Sequence, residues 1–234
     1  LLSAIATLGI DGILIRELIN NRFSWNELMG TSFFLKLGGS VVQFLLLIPL
    51  SRLSGNDSLT NTVILITACS VFFQSGWIID SFFQSQVQSK YSAIANSLVF
   101  FASSGLKIFL LVSNAPLEWF AGTVILDTSL LSLILFLMYR SRSFDVMAWR
   151  FNRSAAVFLL RESWPLIISG LVVSLYMRID QIMIKEMMNV EAVGQYAAAI
   201  RISEAWYFLP MQIATSLFPA IVSARKKSAT LYRK

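Results

Sequence analysis

Six ionisable side chains stand out because of where they fall. Arg178 and Asp180 lie in LYMRIDQIMI, Arg201 and Glu204 in AAAIRISEAWYFLP, Lys107 in SSGLKIFLLV and Asp127 in TVILDTSLLS, each inside a long apolar run. A charge at the centre of a membrane helix costs about 2.5–3.5 kcal/mol on insertion scales, so each needs a partner, water or a route to the interface. Arg178 and Asp180 cannot satisfy each other, because two positions on a helix are about 200° apart. Arg201 and Glu204, three apart, share a face. An antiparallel hairpin turning near residues 189–192 would bring Asp180 to the depth of Arg201 and Arg178 to that of Glu204. The first pair would then lie about 16 Å from the turn, close to mid-bilayer. Lys107 and Asp127 centre in the same way on a turn at 114–118. Opposite charges at shared depth mark a polar cavity and an ion or substrate path. The competing reading makes them inert buried pairs that fix helix register.

The remaining composition narrows the chemistry. There is no His and a single Cys, Cys69, so neither a disulfide framework nor a His- or Cys-based metal site can be assembled, and no metal or cofactor is expected. The commonest general base is missing too, which leaves carboxylate, Lys or Tyr chemistry for any enzyme; no catalytic residue is assigned and a non-enzyme is expected.

The elements that must hold these charges are apolar helices. Of the 234 residues, 56% are hydrophobic and 14% charged, with a mean hydropathy of +0.68. Several runs are apolar all round, which a large soluble core would not require. The expected fold is all-α, a polytopic transmembrane helical bundle. A bilayer core of about 30 Å takes about 20 residues of helix. Six spans follow, at about 31–53, 59–79, 92–113, 118–139, 165–185 and 193–222, after a partial span at the start. SGNDSLTN, DSFFQSQVQSKY, NAPLEW and MMNVEAVG read as the links.

Basic residues alternate with these spans. With the loop after the partial span cytoplasmic, Arg16, Arg22, Lys90, Arg140, Arg142, Arg150, Arg153, Arg161, Arg225, Lys226, Lys227, Arg233 and Lys234 fall on that side, and only Arg52 and Lys185 on the other. The net charge of +6 is thus a membrane-orientation signal, and no nucleic-acid partner is expected. Lys36, near the cytoplasmic end of its span, is expected to snorkel. The connection YRSRSFDVMAWRFNRSAAVFLLRESWP suits an amphipathic helix on the lipid surface, with Trp164 and Pro165 marking entry into the next span. Gly38–Ser40, Ser103–Gly105, Ser169–Gly170 and Ala197–Ala199 allow close helix packing, and Pro210 and Pro219 suit a kink.

Three stretches carry a family resemblance: SLYMRIDQIMIKEMMNVEAVGQYAAAIRISEAWYFLPMQIATSLFPAIVSARKK, the opening ATLGIDGILIRELIN, and WIIDSFFQSQVQSKYSAIAN. With R-I-D-Q-I-M-I, V-G-x-Y-A-A-A-x-R-I-S-E-x-W-Y-F-L-P and F-P-A-I, the chain resembles the Wzx-type polysaccharide flippases, related to lipid II flippases and to multidrug and toxin extruders. The resemblance implies two six-helix lobes, of which this sequence covers about helix 2 to helix 8. Residues 1–139 would be most of the first lobe, 140–163 a cytoplasmic amphipathic linker and 164–234 the first helical pair of the second. The chain begins on Leu1 with no charged leader and is expected to be an internal fragment of a multi-pass protein of the bacterial inner membrane.

The implied function is transfer of undecaprenyl-diphosphate-linked oligosaccharide repeat units, as in O-antigen and lipopolysaccharide biosynthesis, from the cytoplasmic to the periplasmic leaflet by alternating access. No P-loop motif is present, in keeping with an ion gradient or the membrane potential as driving force. Under the resemblance, Arg178 and Arg201 contact the diphosphate by charge-assisted bonds. Asp180 and Glu204 would orient them or carry the coupling proton or cation, and Lys107 and Asp127 complete the substrate-binding set. Membrane lipids and a polysaccharide polymerase are the further expected partners. Two rivals remain: a cation-coupled multidrug extruder of the same fold, and a polytopic membrane glycosyltransferase or polymerase, which would ordinarily need a larger carboxylate-bearing loop.

Overall fold

The computed structural model describes residues 8–53, 57–142, 144–207, 210–211, 213–218 and 221. Among them the regular elements are helical: α1 (Ile10–Asn20), α2 (Trp25–Leu53), α3 (Ser58–Gln74), α4 (Ile78–Ser85), α5 (Ser89–Val112), α6 (Leu117–Ser141), α7 (Arg153–Tyr176), α8 (Ile179–Met187) and α9 (Val190–Glu204), with 3-10 turns at Ser75–Trp77, Val146–Ala148 and Ala205–Tyr207. Two compact units divide the chain, residues 2–167 and 168–234. Among the described residues, five stretches are long and apolar enough to cross a membrane: Trp25–Ser51, Ser58–Ser85, Ser89–Val112, Leu117–Ser141 and Arg153–Tyr176. The chain is an all-α, polytopic helical membrane protein.

Local chemistry explains the punctuation. α1 ends where Asn21 turns into the left-handed region, φ 55°, a conformation that Asn tolerates. α2 then opens on a capping box: the Ser24 amide donates to Glu27 Oε2 at 3.2 Å while the Glu27 amide donates to Ser24 Oγ at 3.3 Å, so donors that the first turn would leave orphaned are satisfied. The α5–α6 hairpin turns through left-handed Asn114, φ 50°, with Pro116 in extended conformation before α6.

α2 turns its polar side inward. Thr31, Ser32, Lys36, Ser40, Gln43 and Ser51 are buried, whereas Phe34, Val41, Val42, Leu45, Leu46 and Leu50 are exposed. In a soluble helix the two faces would be exchanged; here the apolar face suits hydrocarbon and the hydroxyls face neighbouring helices. Ser40 Oγ lies 3.2 Å from the Val71 carbonyl oxygen of α3, joining the two backbones closely.

The expected link DSFFQSQVQSKY is mostly helix. α3 passes through the 3-10 turn directly into α4, and only residues 86–88 separate α4 from α5. Its Ile78, Ile79, Phe82 and Phe83 are among the most buried side chains, and Ser81 and Ser85 are buried with them. The apolar residues recur at helical spacing, and the polar ones between them point into a polar interior rather than to water.

Phe82 centres an aromatic cluster, its ring 5.7 Å from that of Trp25, 5.2 Å from Tyr139 and 5.0 Å from Phe144. Tyr139 in turn meets Trp149 at 5.9 Å. These edge-on contacts fasten residues 144–149 to α4 and α6. The following residues cross the first turns of α2: Arg150 donates its amide to the Asn26 carbonyl at 3.1 Å. Asn152 bonds Thr31 through its amide at 2.9 Å and Glu27 through its side chain at 2.8 Å.

Two expected boundaries differ. The surface helix and the span at 165–185 are replaced by one helix, Arg153–Tyr176, with Pro165 inside it. Asn152 explains the early start, because its Oδ1 accepts from the amides of Ser154 at 2.8 Å and Ala155 at 3.3 Å as an N-cap. The span breaks at Met177 and Arg178 before α8 begins. The expected final span at 193–222 is described only in part; Pro219 and the cations from Arg225 onward lie outside the described residues.

Candidate functional site

The hairpin of residues 179–204 carries four of the six expected site residues. α8 ends at Met187, and Asn189 caps α9 by accepting from the Ala192 amide at 2.8 Å. Asp180 sits in the first turn of α8, where a carboxylate complements the helix dipole. It accepts a hydrogen bond from the Tyr196 hydroxyl at 2.9 Å. That contact centres the hairpin near residue 188, about two to three residues earlier than expected. Levels across the hairpin therefore move by roughly 7 Å at 1.5 Å per residue. Arg201 consequently falls level with about Leu175, not Asp180.

Neither expected ion pair forms. Among the described residues no salt bridge joins Asp180 to Arg201 or Arg178 to Glu204. Arg178, at the break before α8, reaches Gln181 Oε1 at 3.5 Å. Arg178, Asp180 and Arg201 are exposed, and Glu204 is half-buried. The structure thus brings Asp180 to Tyr196 and, among the described residues, leaves the two guanidiniums without carboxylates.

The expected pair in the first unit does form. Lys107 Nζ lies 2.9 Å from Asp127 Oδ2, between α5 and α6, with both side chains partly exposed. Here the turn at Asn114 was placed correctly, so the depths match.

A second charged group in the first unit was overlooked in the sequence. Lys36, expected to snorkel, is 3% exposed and pairs with Asp11 Oδ1 of α1. Ser81 Oγ of α4 donates to the same oxygen at 3.2 Å. Beside Ser81, Asp80 accepts from Gln84 Nε2 through Oδ2 at 3.0 Å. Asp80 lies within electrostatic reach of both Asp11 and Lys36, and Ser92 of α5 stands next to it. The sequence signal was available: Lys36 and Asp11 are isolated charges in apolar runs, the same criterion that singled out Lys107 and Asp127. Asp80 was hidden because its neighbours read as loop.

At the other end of α1, Arg16 bridges two carboxylates, Glu17 at 3.1 Å and Glu162 of α7 at 2.9 Å. Arg22 lies over the Phe158 ring at 4.6 Å and Arg142 over Tyr91 at 4.6 Å. These contacts hold basic side chains against aromatic faces at the helix ends, as interfacial anchors do.

Compared with known protein families, residues 1–225 match the model of a family described as polysaccharide biosynthesis protein. Comparison with curated proteins and with solved structures yields no match.

Proposed function

This chain belongs to the polysaccharide biosynthesis protein family, and from that premise we propose that it is part of a flippase. Five membrane-length helices and the family together give it a membrane role in polysaccharide biosynthesis. The finer reading is translocation of an undecaprenyl-diphosphate-linked oligosaccharide from the cytoplasmic to the periplasmic leaflet of the bacterial inner membrane by alternating access. The coupling ion would be a proton or cation.

One observation carries the reading: Arg178 and Arg201 hold no carboxylate among the described residues. A guanidinium already neutralised by Asp or Glu has little affinity left for phosphate. One without a carboxylate can make two parallel charge-assisted bonds to phosphate oxygens. The break at Met177 and Arg178 supports the same use, since interrupted helices in transporters bring helix ends and polar groups to the substrate. Asp180 would orient the site through Tyr196, with Glu204 available to the coupling ion.

The test is Arg178→Gln and Arg201→Gln in the full-length protein. Surface polysaccharide should be lost while membrane abundance is retained. Full polysaccharide in both variants would remove the contact role. Drug resistance conferred by the wild type, with surface polysaccharide independent of it, would instead favour a multidrug extruder.

A further inference from the structure

We infer that Lys90 and Arg142, which converge on one aromatic ring where α4 and α6 end and α5 begins, form a binding site for the phosphate of an anionic phospholipid. Lys90 Nζ lies 5.1 Å and Arg142 Cζ 4.6 Å from the centre of the Tyr91 ring. At most about 10 Å therefore separates the two charges, close to one screening length at cellular salt. Each attraction to the ring is favourable by itself. Together they gather like charges in one place, and an anion seated between them turns that repulsion into attraction.

The cluster is built into the fold. Tyr91, in the first turn of α5, is held by Phe83 of α4, the rings 5.2 Å apart, and Phe83 lies 6.5 Å from Tyr139 of α6. Lys90 precedes Tyr91 on α5. Arg142 closes α6, its amide donating to the Tyr139 carbonyl at 3.2 Å. Three helix ends thus fix the ring and the backbone that carries both cations, while the cationic side chains themselves are exposed.

The carboxylates of this end are engaged elsewhere. Among the described residues neither Lys90 nor Arg142 enters a salt bridge. Glu17 and Glu162 hold Arg16, Glu27 is bonded to Ser24 and Asn152, and Asp145 accepts the Met147 amide at 2.9 Å. A guanidinium and an ammonium left open in this way suit phosphate, the first as a planar fork and the second as a point charge.

The adjoining surface selects a lipid over free phosphate. Lys90, Ile94, Leu98 and Phe101 recur at helical spacing along α5 and are all exposed. On a helix of membrane length such a stripe is covered by acyl chains, and a lipid lying along it carries its phosphate to the lysine at the end. Val87, in the turn before α5, exposes a further apolar side chain. The concentration of basic residues marks this side as cytoplasmic, where the leaflet surface is negatively charged. A zwitterionic headgroup brings its own ammonium to the two cations and is the weaker occupant. None of this rests on the flippase reading.

Lipid binding to the full-length protein in detergent, followed by native mass spectrometry, tests the site. Wild type should bind phosphatidylglycerol several-fold more tightly than phosphatidylethanolamine; equal binding of the two would overturn the site. Lys90→Gln and Arg142→Gln should each weaken phosphatidylglycerol about fivefold, and the double variant should bind both lipids alike. Arg153→Gln, at the same end but on α7, should leave the affinity nearly unchanged; a loss equal to that of Lys90→Gln would replace the site with diffuse attraction to the whole basic end. Glycerophosphoglycerol, the same headgroup without chains, and inorganic phosphate should fail to displace the lipid at equal concentration, and displacement by either would overturn the assignment to a lipid. Should a variant fail to accumulate, the wild-type comparison of the two lipids still decides.

Discussion

Lys107 and Asp127 meet across the α5–α6 hairpin at 2.9 Å, an ion pair between two helices whose outer faces are apolar. Removing either partner leaves a lone charge at membrane depth, whereas removing both leaves none. Lys107→Met and Asp127→Asn should each lower the thermal midpoint of the solubilised full-length protein. The double variant should fall short of the summed losses by about 0.5–3 kcal/mol. Strict additivity in that cycle would show the two side chains to be independent.

Gly30 lies under the crossing chain. A Cβ there would stand 2.6 Å from both the amide nitrogen and the carbonyl oxygen of Arg150, and backbone cannot rotate aside as a side chain can. Gly30→Ala should therefore dislodge residues 149–152 at a cost of about 1–3 kcal/mol. Faster protease cleavage within residues 143–152 is the expected readout, and an unchanged cleavage rate would mean that the crossing is looser than the geometry requires.

Asn152 serves both sides of that crossing, bonding Glu27 and Thr31 of α2 and capping α7. Loss of a cap alone is worth about 0.5–2 kcal/mol. Asn152→Asp keeps the capping oxygen but sets a carboxylate against Glu27, so it should rescue helix capping while failing to restore the tie to α2. Hydrogen exchange at Ser154 and Ala155 reports the first effect, and proteolysis of the linker the second. Equal exchange in Asn152→Ala and Asn152→Asp would refute the capping role.

The helices were legible because apolar length is a strong signal, and α5–α6 was legible to the level of a side-chain pair because Asn114 and Pro116 fix its turn. The 179–204 hairpin was not. The expected turn near residues 189–192 lay too far toward the C-terminal side, because Asn189 is already the cap of α9, which begins at Val190. An error of two or three residues doubles across a hairpin, which is enough to separate Asp180 from Arg201.

The Asp11, Lys36 and Asp80 group was missed for a different reason. Polar residues clustered between apolar runs signal a loop when the protein interior is oily, and that rule placed Asp80, Ser81, Gln84 and Ser85 outside the bilayer. Their helix packs its Ile and Phe side chains among neighbours while Ser81 bonds across to Asp11 of α1 and Gln84 and Ser85 bond within the helix itself. The merged helix Arg153–Tyr176 shows the same limit: Arg153, Arg161 and Glu162 made the segment look like a surface strip, although Asn152 had already begun the helix.

The inverted faces of α2 reverse the usual tolerance to change. Shortening Leu45 or Leu46 opens no void, since fluid acyl chains fill whatever volume is vacated. Enlarging Ser40 by a few carbons would wedge α2 away from α3. Along this helix the smallest residues set the spacing, and the bulkiest are the ones that can be exchanged.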